Sequence, residues 1–322
     1  NLSASKNGLT AEDITSDDYI IADVKDGDIS VGTLSAAKGE TRLITQNGNV
    51  TANNINSDKS VTVLAYNGDL KVDTIKSRLG YVEAAGYNSF NANEIEAGSD
   101  FFVGSLGDVN ITSLYAGKVE GEVNTELLDS YDLEAKTSYL IGKNLKVERI
   151  NVENNFDASA DENFKVNTIR VEKDSNLYAN NNIDIDKINT GEDLTVTSLA
   201  DGDVNITEVY SENGSVGVTN ENGNTTLTKI NAGDDIHLKN NGVGDIIIND
   251  SITTRNNGSL YVNINDGKLD IKSGTIDGEA SIYSGKGNIF LTKFNVNDDL
   301  NVRAKDGNVI IYDDTNIGGN AT

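Results

Sequence analysis

The chain has 322 residues, of which 51 are acidic and 26 are basic, so its formal net charge is −25 at pH 7. A surface this acidic repels phosphate backbones and anionic lipid headgroups, which argues against nucleic-acid binding and peripheral membrane binding, although it attracts cations such as Ca²⁺. Cysteine is absent, which excludes disulfides and thiolate-ligated zinc, and no apolar run approaches the ~20 residues that span a bilayer.

Residues 1–26 precede the first clear repeat, and we expect them to form an atypical first coil. From Gly27 onward one phrase recurs: Gly, Asp or Asn, an apolar residue, any residue, an apolar residue, two further residues, and then Ile, Leu or Val. It reads GDISVGTL at Gly27, GNVTANNI at Gly48, GDLKVDTI at Gly68 and GDVNITSL at Gly107, and it returns at Gly202, Gly223 and Gly287. The copies lie about 20 residues apart, which indicates a solenoid of about 15 repeats over 27–312.

The region 119–144 interrupts this pattern. If the period of about 20 residues holds, one further repeat is needed between Val109 and Leu145, and its register is not visible in the sequence. We therefore predict an irregular coil over 119–144.

Each repeat continues with a polar turn and a third short alternating segment, such as VTV at Val61 and LTV at Leu194. Three alternating segments per repeat predict three strands, each with one inward and one outward face, and stacked coils bury the inward faces while pairing the backbone. The absence of proline agrees with strands that pair on both sides. We predict an all-β fold: a right-handed parallel β-helix with three faces per coil and about 15 coils, forming a single domain over 1–322.

The chain has one histidine, His237, in the stretch GDDIHLKN. It lies between two apolar residues, Ile236 and Leu238, so the alternation places its side chain in solvent. Aligned coils carry Thr195, Asn301, Tyr261 and Tyr178 at the same position, which assigns Tyr178 and Tyr261 to one outward column. We interpret the stretch as a turn and a strand of the scaffold, and not as a catalytic or metal site.

The acidic turns are candidates for calcium, because carboxylate oxygens are the ligands that this cation prefers. The candidates in the central and carboxy-terminal coils are Asp234, Asp235, Asp298 and Asp299, and similar acids stand at Asp17 with Asp18, Asp201 with Asp203, and Asp313 with Asp314. Neither the glycine-rich calcium-binding nonapeptide nor the EF-hand loop is present. We therefore expect solvated acids that keep the protein soluble, with no cofactor, and keep calcium as the alternative.

Two further kinds of site bear on function: a polysaccharide-active cleft, and a stripe of aromatic side chains that binds sugars. Polysaccharide-active β-helix enzymes set carboxylates in a cleft built by long loops, whereas the turns here are short and the Gly-His-Gly and Arg-Ile-Lys signatures of polygalacturonases are missing. We therefore predict that the chain is not an enzyme. Phe101, Phe102 and Tyr115, near Tyr87, form the densest aromatic region, and some of these rings should belong to the core.

The whole repeat reads G-[DN]-Φ-x-Φ-x-x-[ILV]-x-[AST]-x-x-[DN]-Φ-x-Φ, where Φ is apolar. This pattern resembles the repeats of filamentous-haemagglutinin-like exoproteins over nearly all of 14–312. These are the β-helical adhesins and toxin stalks that Gram-negative bacteria export by two-partner secretion or as autotransporters. The resemblance implies a right-handed β-helix, export in an unfolded state, surface exposure, and adhesion or display. The Asn-rich motif of the family's secretion domain is not found, so the resemblance points to repeat shaft.

These observations lead to three expectations for function. The first is a non-enzymatic shaft of a secreted or cell-surface adhesin, whose partner is a host or bacterial cell-surface glycan or protein, with neither nucleic-acid binding nor membrane insertion. The second is a subunit of an extracellular fibre or biofilm matrix that self-associates end to end. The third, which the site evidence favours least, is a polysaccharide-active enzyme. Because the chain lacks methionine and a signal peptide, we expect a processed product or an excised piece of a longer protein.

Overall fold

The structure is a computed structural model that describes residues 2–117, 137–313 and 315–322. All regular elements in these ranges are β-strands, and each pairs in parallel with strands of the neighbouring coils. The fold is therefore all-β, a parallel β-solenoid of about 15 coils, as the repeat predicts. A search of the described ranges for a helix able to cross a membrane finds none. The right-handedness and the three faces per coil stay predictions.

The chain divides into two compact units, Asn1–Ser159 and Ala160–Thr322. Each contains two ladders of strands that alternate along the chain, and we call these ladders sheet A and sheet B.

In the first unit, the strands of sheet A are β1 (Leu2–Ala4), β3 (Ile20–Asp26), β5 (Thr41–Asn47), β7 (Val61–Ala65), β9 (Val82–Gly86), β11 (Phe101–Ser105), β13 (Thr137–Gly142) and β15 (Asn155–Ala160). Those of sheet B are β2 (Leu9–Ser16), β4 (Ile29–Ala36), β6 (Val50–Ser57), β8 (Asp69–Ser77), β10 (Ser89–Ala97), β12 (Asp108–Ala116) and β14 (Leu145–Val152).

In the second unit, sheet A consists of β17 (Ser175–Ala179), β19 (Leu194–Asp201), β21 (Val216–Asn222), β23 (Ile236–Val243), β25 (Leu260–Asp266), β28 (Ala280–Lys286) and β31 (Leu300–Asp306). Sheet B begins with β16 (Phe164–Val171), β18 (Ile183–Thr190), β20 (Val204–Ser211), β22 (Thr225–Asn231) and β24 (Ile246–Thr253). It then runs as two shorter tracks, which are β26 (Leu269–Ile271), β29 (Ile289–Thr292) and β32 (Val309–Tyr312), and β27 (Gly274–Ile276), β30 (Phe294–Val296) and β33 (Asn316–Ile317).

The core is built from the apolar positions of the repeated phrase. Ile29 pairs with Val50, and Val50 pairs with Leu70, so that identical positions of successive coils stack in columns. All three side chains are fully buried. Burial of these columns supplies the main favourable free energy of folding, and the parallel ladders satisfy the backbone that comes with it.

Val109 and Leu145 lie in neighbouring coils, which the spacing of the repeat does not predict, although the total stays at about 15 coils. Val109 pairs directly with Leu145, and Phe102 pairs directly with Tyr139, so the additional repeat expected between them is not a rung of either ladder. Residues 137–144 of the predicted irregular coil belong to β13 and the turn after it, while 119–136 lie outside the described residues. At the amino terminus, Leu9 pairs with Ile29 in the same register as later coils, so 2–26 already contain ordinary rungs.

The Asp or Asn of the repeated phrase has a structural task that recurs from coil to coil. The Asp28 carboxylate accepts a 2.8 Å hydrogen bond from the backbone amide of Asn49, and the Asn49 side chain accepts one of the same length from the amide of Asp69. The same contact joins Asp203 to the amide of Asn224. Each such side chain satisfies an amide in the next coil, which explains why this position tolerates only Asp or Asn in the best copies.

Candidate functional site

His237 lies where the sequence analysis places it, on the outer face of sheet A in the second unit. Its neighbours Ile236 and Leu238 are 0% and 1% exposed, whereas 54% of the His237 side chain is exposed. In the ladder it stands between Gly217 and Tyr261. The interpretation of this stretch as a rung is confirmed.

The imidazole stacks on the ring of Tyr261, with ring centroids 4.9 Å apart and an interplanar angle of 13°. Its Nε2 is 3.9 Å from Asp235 Oδ2, which is the outer limit of an ion pair. The Tyr261 hydroxyl donates to Glu279 Oε1 at 3.1 Å. The result is a surface pair of rings edged by two carboxylates.

Tyr261 titrates above the ordinary pKa of a phenol. A hydrogen bond with Ser259 lowers the pKa of Tyr261, but desolvation and the neighbouring Glu279 and Asp235 carboxylates together raise it. The phenol is therefore neutral at physiological pH, and it acts there as a hydrogen-bond donor and not as a base.

The expected outward column of Tyr178 and Tyr261 is wrong. Ser175, and not Leu177, pairs with Leu194, so Asn176 takes the place in the ladder that aligns with His237. Tyr178 lies in the next outward column, which continues through Thr197, Thr219, Lys239, Asn263, Tyr283 and Arg303. The two candidate tyrosines thus do not form a continuous stripe.

The calcium candidates are separated by the ladder. Asp235 precedes β23 and Asp299 precedes β31, and Ser259 and Glu279 occupy the corresponding positions of the two coils between them. Three coil spacings of ~4.8 Å put the two aspartate pairs about 14 Å apart along the stack, too far to share one ion. Asp234 and Asp298 are both exposed.

Two of these carboxylates already have backbone partners. Asp235 Oδ1 accepts from the Ser259 amide, and Asp299 Oδ1 accepts from the Asn320 amide, each at 2.7 Å. Asp203 accepts from a backbone amide in the same way, Asp201 accepts from the side chain of Asn222, and Asp17, Asp18 and Asp313 are exposed, while Asp314 lies outside the described residues. Over the described ranges, no three His, Asp or Glu side chains converge in a geometry that could hold a metal ion.

A shallow depression of about 440 Å³ lies beside the stacked rings. It is lined by Asn257, Ser259, Tyr261, Glu279, Asp298 and Asp299. The structure therefore groups Asp298 and Asp299 with Tyr261, a grouping that sequence spacing does not reveal. The lining can offer hydrogen-bond acceptors to a cation or a hydroxyl group at the surface, and the only imidazole of the chain is not part of it.

The aromatic region splits between core and surface. Phe101 is fully buried and contacts Phe156 edge to face, with centroids 6.1 Å apart, whereas Phe102 is 41% exposed and stacks on Tyr139. Tyr115 belongs to sheet B, where its hydroxyl donates to Glu153, and Tyr87 is exposed next to the end of β9. Sequence reasoning missed the exposed aliphatic residues on the same face of sheet A. Their signal is a break in the alternation, as in the consecutive apolar residues VLAY at 63–66.

We expect His237→Asn to lower the free energy of unfolding by less than ~1 kcal/mol, because the change removes one exposed ring stack and nothing from the core. Urea unfolding at pH 7 measures the difference, and His237→Phe, which retains a ring, is the matched control. A loss of several kcal/mol, or a melting temperature that depends on added divalent metal only when His237 is present, would contradict the scaffold interpretation.

Compared with protein-family models, curated proteins and solved structures, this chain matches none of them. Its likeness to filamentous-haemagglutinin-like repeats accordingly stands on the repeat pattern of its own residues.

Proposed function

We propose that this chain is a non-enzymatic shaft segment of a secreted or cell-surface bacterial adhesin. The observation that carries the proposal is the way the solenoid uses its residues: the inward columns are packed with Ile, Val, Leu and Phe side chains, and the turns between described strands are short except between β12 and β13. Such a fold offers partners its lateral surface, on which each coil repeats the same few outward positions. The resemblance to exported β-helical adhesins supports the same reading.

Cell binding tests this proposal. Beads coated with the folded chain should attach saturably to intact host or bacterial cells, and soluble chain should compete for the attachment. Beads coated with the heat-unfolded chain are the control. Attachment equal to that of the control on every cell type would argue against an adhesive role, and antibody labelling of intact producing cells checks the proposed surface location.

The proposal also excludes catalysis by this chain. Incubation with a panel of acidic polysaccharides should release no reducing ends above the rate of a boiled sample. A release that survives purification and is abolished in a single carboxylate variant would replace the proposal with the enzyme alternative.

One observation favours the fibre alternative. In β32, Val309 and Ile311 continue the inward columns of Ile289 and Leu291, yet they are 40% and 44% exposed, and Tyr312 beside them is 49% exposed. A further coil stacked on this strand, from this chain or from a second copy, would cover them. Concentration-dependent filaments in negative-stain images would support the fibre subunit, whereas a monomer at all concentrations supports the shaft.

A further inference from the structure

The outer face of sheet A in the first unit is apolar along a column where solvent-facing polar residues are expected. The fourth position of each strand core forms a middle column that begins with the polar Ser3 and Asp23 of β1 and β3. Over the next five rungs, from β5 to β13, it consists of Ile44, Leu64, Ala85, Gly104 and Ile141. Ile141 is 53% exposed, Leu64, Ala85 and Gly104 are half-buried, and Ile44 is only 8% exposed. In the second unit the same column is mostly polar, as its Thr197, Thr219, Lys239 and Asn263 show. The apolar column is therefore a local property of the first unit and not of the repeat.

Two ridges flank this column. One contains Phe102 and Tyr139, whose rings stack with centroids 5.7 Å apart. The other contains Tyr66, Tyr87 and Leu106, which are 53%, 50% and 65% exposed. In the rungs before Phe102 the first ridge continues as Arg42, Thr62 and Glu83. Because Ala85 and Gly104 are small, the middle column is lower than both ridges in these two rungs, and the three columns together form what we call the sheet A groove.

Two depressions lie at the Ile44 end of the groove. A depression of about 310 Å³ is lined by Arg42, Ile44, Leu64, Tyr66 and Glu83, together with polar residues of the preceding turn. A second depression of about 550 Å³ continues from Ile44 and Tyr66 toward the amino terminus. The exposed apolar side chains of the groove are Tyr66, Tyr87, Phe102, Leu106 and Ile141. Clusters of exposed apolar side chains mark interaction sites on soluble proteins.

The dimensions of the groove suit one α-helix. The ridges stand four residues apart along each strand, or about 13 Å, and the five rungs of the middle column extend over about 19 Å. An α-helix with its side chains is about 10–12 Å wide, and about 13 helical residues cover that length. The ring faces of Phe102 and Tyr139 cover each other, so the ridge presents ring edges, which suit aliphatic side chains better than the flat face of a sugar.

The charges select the partner further. Three carboxylates, those of Asp23, Glu40 and Glu83, line the two depressions together with Lys25 and Arg42. Arg42 is already 3.6 Å from Asp23. A second copy of the chain would bring another net charge of −25 to the contact. A helix with an apolar stripe bordered by Lys and Arg would instead bury the groove and neutralise its carboxylates.

We propose that the sheet A groove docks a basic amphipathic helix of a partner protein. The inference names a partner class for the lateral surface and so rests on the proposed function for its biological meaning. Its physical content concerns the isolated chain and can be tested separately.

The probe is a fluorescent 14-residue peptide with leucines on one helical face and lysines on the other, titrated with the full chain and followed by anisotropy. We expect saturable binding of one peptide per chain. The double variant Phe102→Ser with Leu106→Ser should bind at least about tenfold more weakly, because it removes one large apolar side chain from each ridge without changing the charge. Glu83→Lys should also weaken binding, and more so at low salt.

The matched control is Tyr283→Ser, which removes an exposed ring from sheet A of the second unit and should leave binding unchanged. Circular dichroism and melting verify that each variant folds, as expected for outward side chains. Equal binding to the wild-type chain and the double variant would show attraction by net charge alone and would overturn the proposal.

Three further results would also overturn it. The first is the absence of saturable peptide binding. The second is a dimer of the chain that the double variant abolishes, which would make a second copy the occupant of the groove. The third is peptide binding that arises only when 118–136 are deleted, which would make that segment the occupant. Cell attachment by the double variant equal to wild type, with peptide binding lost, would leave the adhesin proposal standing and remove the groove from it. Peptide binding by the wild-type chain without cell attachment would leave the groove as a helix-binding site and argue against the adhesin proposal.

Discussion

Gly223→Ala is expected to lower the free energy of unfolding by about 3 to 5 kcal/mol, the largest effect that we predict for a single methyl group in this chain. Gly223 opens one copy of the repeated phrase with φ at +122°, a conformation that residues with a side chain rarely adopt. A Cβ atom at this position would also collide with the backbone carbonyl of Gly202, one coil away. The collision is with a backbone fixed in two ladders, so the structure cannot relax by moving a side chain.

Gly217→Ala is the matched control, because it places the same methyl group in the adjacent strand. Its Cβ would meet only one atom within 4 Å, the Leu194 carbonyl oxygen at 3.7 Å, and its φ is not positive. We expect no loss of stability, or a gain of up to ~1 kcal/mol, because alanine restricts the unfolded chain more than glycine does. Amide exchange in β20 and β22 reports the local effect of both changes. Equal protection in the two variants would show that the coils do not touch at Gly223.

Asn240→Leu should destabilise the protein by about 2 to 4 kcal/mol, although it exchanges a polar side chain in the core for an apolar one with the same number of heavy atoms. Asn240 is 1% exposed, and its amide nitrogen donates to the carbonyl oxygens of Gly223 at 2.7 Å and Gly244 at 3.1 Å. Its own oxygen accepts from the Gly242 amide at 3.1 Å. Leucine leaves these turn groups without their partner, and an unsatisfied buried polar group costs its full desolvation free energy.

Asn240→Ser is the control for this change. Ser284 stands in the corresponding position two coils later, where its hydroxyl contacts the carbonyl oxygens of Gly267 and Gly287 at 3.2 Å and 3.4 Å. We therefore expect serine to restore part of the network and to cost about half as much as leucine. Thermal unfolding of the three proteins measures the order, and a leucine variant as stable as the wild type would contradict the proposed role of the buried amide.

The predictions for Gly223 and Asn240 concern the same turn, but the sequence alone indicates only the importance of the glycine. The glycine recurs at the head of the phrase, so its importance can be read from the repeat. Asn240 lies in a buried column of mixed polarity, where other coils have Asn220, Ser198 or Ala65, and nothing local distinguishes a buried asparagine from an exposed one. Its partners lie 17 residues earlier and four residues later, and only the stacking of the coils brings them together.

The register of sheet A shows a second limit of sequence reasoning. A slip of two residues leaves every inward position apolar and every outward position polar, so the alternation does not distinguish between alignments that differ by two. The segment at Ser175 was aligned by its apolar residues, and the ladder instead places Ser175 in a buried column. For that reason Tyr178 lies one outward column away from the column predicted for it, and it does not share a column with Tyr261.

The step from Val109 to Leu145 shows the same limit on a larger scale. The period alone predicts a further rung there, because Val109 and Leu145 are separated in sequence by nearly two periods of about 20 residues. The hydrogen bonds show which coils are adjacent in space. Asn144 donates to Asp108, 36 residues earlier, in the way that other coils connect residues about 20 apart.

What the sequence by itself determined was the local chemistry of one coil: the parallel β-solenoid of about 15 coils, the inward columns, the solvent-facing His237 and the glycine turns. These follow from a period of two within strands and of about 20 between coils, both of which can be read along the chain. The tertiary structure decided which coils are neighbours, and with them the buried Asn240 network, the separation of the calcium candidates and the sheet A groove. Each of these depends on residues of different coils that meet across a ladder spacing of ~4.8 Å, and that adjacency is a property of the stack.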